Sequence, residues 1–173
     1  ITKEPGGTRI GKLLKQVLLE EQKECDTRVE LLLFAADRAE HFSHLVIPAL
    51  ESGAIILSDR MADSAVAYQG FGRQLDVTLI QEINTFATRG IVPDHTFYVD
   101  APYDLALHRR RMRNQNSSSI EDQTDAAVWH RVRSGYEYLL TTRPTITALD
   151  GKESPAKLFS LAQEKLIPLL AQK

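Results

Sequence analysis

The sequence predicts an α/β fold: a parallel sheet flanked by helices on both faces. Three observations carry this reading. Short apolar runs (Ala54 to Leu57, His95 to Val99 and Thr145 to Leu149) are followed closely by Asp59, Asp100 and Asp150. Stretches of helical periodicity separate the runs, as crossovers between parallel strands require. The 173 residues show neither an internal repeat nor a linker, so residues 1–173 are expected to form a single domain with a sizeable core. In such sheets ligands bind beyond the carboxyl ends of the strands, here Asp59-Arg60, Asp100 and Asp150.

The elements follow in order. Ile1-Thr2 is strand-like, and Glu4-Pro5-Gly6-Gly7-Thr8 turns into a helix that Thr8 can cap. Ile10, Leu13, Leu14, Val17 and Leu18 give that helix one apolar face. Asp26 or Thr27 caps the next helix, which runs through Leu31 to Ala36 and leads to Gly53. Ala54 to Leu57 reads as a buried strand with Ser58-Asp59-Arg60 at its polar end. Asp76 starts a helix carrying Val77, Ile80, Ile83 and Ala87, closed by Gly90. After the strand ending at Asp100, Pro102 starts a helix that becomes arginine-rich. Asn114 to Thr124, with three successive serines, reads as a mobile loop. Val128, Val132, Tyr136 and Leu139 mark the next helix, with Trp129 expected in the core. Ser154-Pro155 opens the last helix, with Leu158, Leu161, Ala162 and Leu166 along it.

Composition excludes several classes. Lys plus Arg number 21 against 23 Asp plus Glu, a net charge of −2, which gives no case for binding nucleic acid or an anionic membrane. The longest wholly apolar stretch, Leu31 to Ala36, has six residues, far short of the ~20 needed to span a bilayer. A lone Cys25 precludes an internal disulfide and suits a reducing compartment, so a cytoplasmic location is expected.

Five constellations can carry chemistry. Glu4 to Thr8 brings backbone close to a ligand or simply forms a tight turn. Phe34 and Arg38, at i and i+4, share a helix face: a ring that stacks on a nucleobase beside a fork that reads its carbonyl edge. The bland alternative is a core Phe with a surface Arg38–Asp37 pair. Asp59-Arg60 suits a bidentate phosphate clamp, with Asp59 orienting the arginine or holding a metal through water. Ala67 to Arg73 (A-Y-Q-G-F-G-R) favours a bent loop offering Tyr68 and Gln69 to a sugar or base, or an ordinary helix-ending turn. Arg109, Arg110, Arg111 and Arg113 form either a solvated helix face or a lid closing on phosphates. His41 and His44 with Glu40 have helical spacing, but no third strong ligand is near, which makes them structural histidines.

Together, in this order, the strings E-P-G-G-T, L-L-F-A-A-D-R, D-R and A-Y-Q-G-F-G-R closely resemble the thymidylate kinase (dTMP kinase) family, bacterial type, over essentially the whole chain. The resemblance implies a P-loop NTPase fold of the nucleoside monophosphate kinase kind, a transferase that phosphorylates dTMP to dTDP with ATP and Mg²⁺ in dTTP biosynthesis, and a homodimer. It implies that Phe34 stacks on thymine and Arg38 hydrogen-bonds its edge. Arg60 would bind the acceptor phosphate, with Asp59 supporting the phosphate and metal region. Tyr68 and Gln69 would line the sugar and base side, with Tyr68 disfavouring a ribose 2′-hydroxyl, while Glu4 and Pro5 form a further wall. Arg109, Arg111 and Arg113 would belong to a lid spanning about 109–124, one of them reaching the transferred phosphoryl group.

The sequence departs from the family pattern in four places. Lys3 stands for the usual Arg, Met61 for the usual Tyr, and Ser117 to Asp122 does not match the acidic-arginine lid segment. The fourth is larger: no G-x-x-x-x-G-K-[ST] occurs anywhere in the 173 residues, and the chain opens at Ile1 rather than Met. The expectation is therefore that the first strand and P-loop, roughly 30 residues by the size of a βαβ unit, precede the sequence given. The chain as it stands is expected to be inactive. The alternatives are a non-catalytic nucleotide-binding relative, or a kinase for another pyrimidine monophosphate such as dUMP.

Overall fold

A computed structural model describes residues 1–20, 25–113 and 125–171. The expected loop Asn114 to Thr124, the mismatched Ser117 to Asp122 and all of the lid beyond Arg113 lie outside the described residues. The chain forms two compact units: Ile1–Val92 with Ser118–Tyr136, and Pro93–Ser117 with Glu137–Lys173. Both are α/β, with parallel strands and flanking helices.

In the first unit, β1 (Thr2–Lys3) pairs in parallel with β2 (Ser58–Asp59), Thr2 opposite Ser58 and Lys3 opposite Asp59. Thr2 N–H to Leu57 O (2.8 Å) and Glu4 N–H to Asp59 O (3.2 Å) extend the ladder at either end. The expected strand at Ala54 to Leu57 is a correction: β2 is confined to Ser58–Asp59, the preceding run joins the ladder only through Leu57 O, and Ile55 (66%) and Leu57 (52%) are exposed. The two residues of β1 give it too short a partner.

The helices begin where local chemistry directs. Thr8 Oγ1 accepts the Gly11 N–H (2.9 Å) at the start of α1 (Arg9–Glu20). The apolar face of α1 is only partly used: Leu18 is buried, while Ile10, Leu13 and Val17 remain exposed. Asp26 caps α2 (Thr27–His41) by accepting the Arg28 N–H, and the Arg28 guanidinium and N–H hold its pKa down at about 2. A π-helical turn, Phe42–Val46, carries α2 into α3 (Ile47–Glu51). After β2, α4 (Ala62–Ala65) runs into a second π-helical turn, Val66–Gly72. Asp76 caps α5 (Val77–Thr88), which ends on two left-handed residues, Arg89 and Gly90. Phe42 and Ile80 are wholly buried where α2 and its continuation pack with α5. Each contributes about 1.5–3 kcal/mol by burial.

Residues of α7 (Ala126–Thr142) up to Tyr136 complete this unit. Gly135 lets α7 approach the second π-turn, because a Cβ there would lie 2.7 Å from Ala67 Cα. Trp129 departs from the expected core position. It is half-buried, edge-on to the His130 ring with the Arg133 guanidinium 6.0 Å from its centroid.

In the second unit, β3 (Thr96–Asp100) pairs in parallel with β4 (Ile146–Asp150), aligning Asp100 with Asp150 at the carboxyl ends. α6 (Tyr103–Arg113) follows β3. Ser154 caps α8 (Pro155–Leu170), accepting the Lys157 N–H at 3.2 Å. The expected apolar positions of α8, Leu158, Leu161, Ala162 and Leu166, are half-buried.

Candidate active site

The β1–β2 ladder decides which motifs meet. Its register makes Glu4 and Arg60 the next residues beyond two neighbouring carboxyl ends, so E-P-G-G-T and Asp59-Arg60 lie side by side although far apart in sequence. The turn at Pro5-Gly6-Gly7 needs Gly6, whose φ is +99°. Pro5 is half-buried beside it.

Glu4 points inward and is buried, as are Arg38 (2% exposed) and His41 (0%). Its Oε2 accepts Arg38 Nε at 2.9 Å and its Oε1 meets His41 Nδ1 at 2.9 Å. On the far side, His41 Nε2 lies 2.6 Å from Thr2 Oγ1. Arg38 Nη1 donates to Asn84 Oδ1 (2.7 Å), and Asn84 Nδ2 donates to Ala62 O (3.1 Å), two residues after Arg60. A surface Arg38–Asp37 pair is thus not formed: both side chains are buried and take separate partners. Phe34 stands half-buried one helical turn before Arg38. His41 is wholly buried between Glu4 and Thr2, and among the described residues no group of three or more His, Cys, Asp or Glu is arranged to hold a metal.

Asp37, 1% exposed, accepts the Gly6 N–H at Oδ1 (2.9 Å), which holds the turn against α2. Its Oδ2 is buried without a partner among the described residues. Burial raises its pKa above 3.8, Glu4 adds to this, and the Gly6 N–H, His41 and Arg38 oppose it. A raised carboxyl pKa means that the folded state binds the proton more tightly than the unfolded chain. This group's stabilisation is therefore full below pH 3.8 and lost as pH rises through the folded value. Asp37→Asn keeps an acceptor for Gly6 and removes the titration. Its melting temperature relative to the parent should climb as pH is raised from 3.5 to 6.5 in about half-unit steps. A difference that stays flat with pH would contradict this account.

At the other strand end, Ser58 Oγ donates to Arg60 O (2.7 Å), and Arg60 adopts φ 66°, a left-handed conformation unusual for a residue with a side chain. Its guanidinium carbon lies 5.0 Å from the centroid of Tyr68. Asp59, whose backbone pairs with Lys3, is exposed. Tyr136, expected only as an apolar-face residue, brings its hydroxyl to 3.0 Å from Ser64 Oγ. Burial, with Tyr68 and Asp63 nearby, pushes its pKa up to about 12, against the lowering effects of Arg60 and Ser64. Tyr136, Ser64 and Asn84 belong to the polar network around the candidate site, and sequence reasoning missed them. No local signal marks them, since each acts on a group far along the chain.

The A-Y-Q-G-F-G-R string is the second π-helical turn rather than a bent loop. Its wider winding buries Gln69, whose amide donates to Glu30 Oε1 (2.8 Å), and Glu30 also pairs with Arg73 (3.0 Å). Tyr68, half-buried, stays beside Arg60. In the second unit Arg109 Nη1 donates to Gly151 O (2.7 Å), which ties α6 to the end of β4. Arg111 is exposed, and Arg113 lies in α6 with its side chain outside the described residues.

The thymidylate kinase family profile covers residues 1–160. The thymidylate kinase of Acaryochloris marina is 43% identical over 150 residues, covering 83% of this chain and 65% of that protein. The thymidylate kinases of Trichormus variabilis and Trichodesmium erythraeum are 41% and 39% identical, covering 99% and 100% of this chain and 82% and 76% of their own lengths. The chain thus spans 65% to 82% of the length of these relatives. A profile that takes in both units and identities sustained along nearly the whole chain show that this protein belongs to the thymidylate kinase family of phosphotransferases.

Proposed function

We propose that the full-length protein transfers the γ-phosphoryl group of ATP to dTMP, giving dTDP. The observation that carries this reading is the convergence, around the β1–β2 strand ends, of a buried and fully partnered Glu4 holding Arg38, with Arg60 and Tyr68 beside them. Phe34 and Arg38 take the thymine by its face and edge, Tyr68 meets the deoxyribose, and Arg60 holds the acceptor phosphate. Gln69, tied to Glu30, fixes the turn that presents Tyr68, and Pro5 walls the pocket. Phosphoryl transfer asks for positioning and charge stabilisation more than covalent help. Arg111 and Arg113 supply lid charge, while Arg109 fixes the base of their helix.

Magnesium commonly takes one or two carboxylates and completes its shell with water and phosphate oxygens. The exposed Asp59 at a strand end fits that demand. When bound, the ion spreads the charge of the phosphate oxygens.

The 173 residues contain no G-x-x-x-x-G-K-[ST], so we assign the donor triphosphate to a segment outside them. A protein of Ile1–Lys173 alone is expected to bind dTMP without turning it over. dTMP-dependent ADP release from that fragment would overturn this. For the full-length protein, turnover of dTMP, dUMP, dCMP and dGMP is the test. Preference for dTMP is expected, preference for dUMP would reassign the acceptor, and binding without turnover would make the protein a non-catalytic relative.

A homodimer in the cytoplasm completes the reading. α2 exposes Val29 (47%) and Leu32 (57%), and α5, packed beside it, exposes Leu79 (51%) and Phe86 (85%). An open groove of 830 Å³ runs along α5 past Gln81, Glu82 and Phe86. A second copy covering these faces accounts for apolar groups left in water. Phe86→Asp should raise the dimer dissociation constant by about 30-fold or more in sedimentation equilibrium, as loss of a buried aromatic anchor does. No helix among the described residues is long and apolar enough to cross a membrane.

A further inference from the structure

Arg38 is held in an asymmetric way. Its Nε meets one oxygen of Glu4 and its Nη1 meets Asn84, while among the described residues Nη2 has no hydrogen-bond partner. Nor is Nη2 sealed from solvent: the buried, unpartnered side-chain atom among the described residues is Asp37 Oδ2. A carboxylate facing a guanidinium ordinarily closes into a two-bond fork. Here the second oxygen of Glu4 is held elsewhere, by His41 Nδ1 at 2.9 Å, and the imidazole is fixed in turn by Thr2 Oγ1 at 2.6 Å. Glu4 accepts at both oxygens, so His41 presents a proton on Nδ1. His41 is wholly buried, and a Cβ on Gly7 would lie 2.8 Å from its Cδ2, so its ring has no room to turn away.

We propose that His41 is a positioning residue for base recognition. By holding one oxygen of Glu4 away from Arg38, it keeps Nη2 available as the donor to the pyrimidine carbonyl. Without His41, the Glu4 carboxylate rotates onto Arg38, closes the fork, and takes up the donor that the base edge needs. The inference rests on the reading that Arg38 meets the thymine edge. It adds that a histidine touching neither base nor phosphate sets the choice between a carbonyl and an amine at that edge.

The test is calorimetric binding of dTMP and dCMP to the full-length protein. His41→Phe fills the ring volume and frees Glu4. It is expected to weaken dTMP binding about tenfold, the worth of one hydrogen bond to a charged donor, while dCMP changes by less than about twofold. His41→Asn places an amide N–H where Nδ1 stood and should restore dTMP binding to within about threefold of the parent. A general loss of structure would weaken both ligands alike, so equal losses, or no loss, in His41→Phe would overturn the proposal. Should His41→Phe fail to fold, His41→Gln, which reaches Thr2 but not Glu4, must show the same selective loss or the proposal falls. Arg38→Ala separates the two layers. If it leaves dTMP binding unchanged, the base-edge reading itself is wrong. If it abolishes the dTMP preference while His41→Phe does not, only the role of His41 is wrong.

Discussion

Arg60→Ala is expected to lower kcat/KM for dTMP by about 10²–10³-fold in the full-length protein, the usual cost of removing a preorganised charged donor from a reacting phosphate. The preorganisation is visible in the backbone. Arg60 follows directly on β2, adopts a left-handed φ of 66°, and has its carbonyl tethered by Ser58 Oγ. The guanidinium then rests against Tyr68 rather than sampling solvent freely. Arg60→Lys keeps the charge but not the fork, so it should recover only part of the loss, remaining about tenfold below the parent. The side chain is exposed, and loss of its ring contact with Tyr68 should cost about 0.5–1 kcal/mol of stability. Steady-state kinetics alongside thermal melting separates the two effects. A kcat/KM within about threefold of the parent would move the acceptor phosphate away from Arg60.

The features legible in the sequence are those decided by a few consecutive residues. Thr8, Asp26, Asp76 and Ser154 cap helices as their positions predict, since a cap needs only its own side chain and the next three N–H groups. Strand identity at Thr96–Asp100 and Ile146–Asp150 is legible for the same reason. The polar network is not. Arg38 meets Asn84 across 46 positions and Ser64 meets Tyr136 across 72, and neither partner carries a local mark of its role. Asp37-Arg38 reads as a surface pair by adjacency, yet α2 turns both residues inward and the chain supplies Gly6 and Glu4 from a segment more than 30 positions away. The expected burial of Ile55 and Leu57 fails differently: apolar character indicates what should be covered, but coverage depends on what the neighbouring strand provides.

Glu4→Ala should produce the largest loss of stability, about 3–5 kcal/mol in urea denaturation, because it leaves the Arg38 guanidinium buried without its countercharge. Both partners have side chains only 3% exposed, so water cannot replace the lost acceptor without opening the packing of α2 against the Pro5-Gly6-Gly7 turn. The same change strips His41 Nδ1 of its partner, adding an unsatisfied buried donor. Glu4→Gln should cost less. Its carbonyl oxygen can face Arg38 Nε while its amide faces a His41 that has shifted its proton to Nε2, so the hydrogen bonds survive and only the countercharge is lost. The double replacement Glu4→Leu with Arg38→Met discriminates between two origins of the loss. If the orphaned charge is responsible, removing both charges together restores most of the stability, since apolar pairs of similar volume replace buried ion pairs at little cost. That protein should then be well folded and unable to prefer dTMP. If it is as unstable as Glu4→Ala, the loss comes from the shape of the turn and the His41 bond rather than from the ion pair.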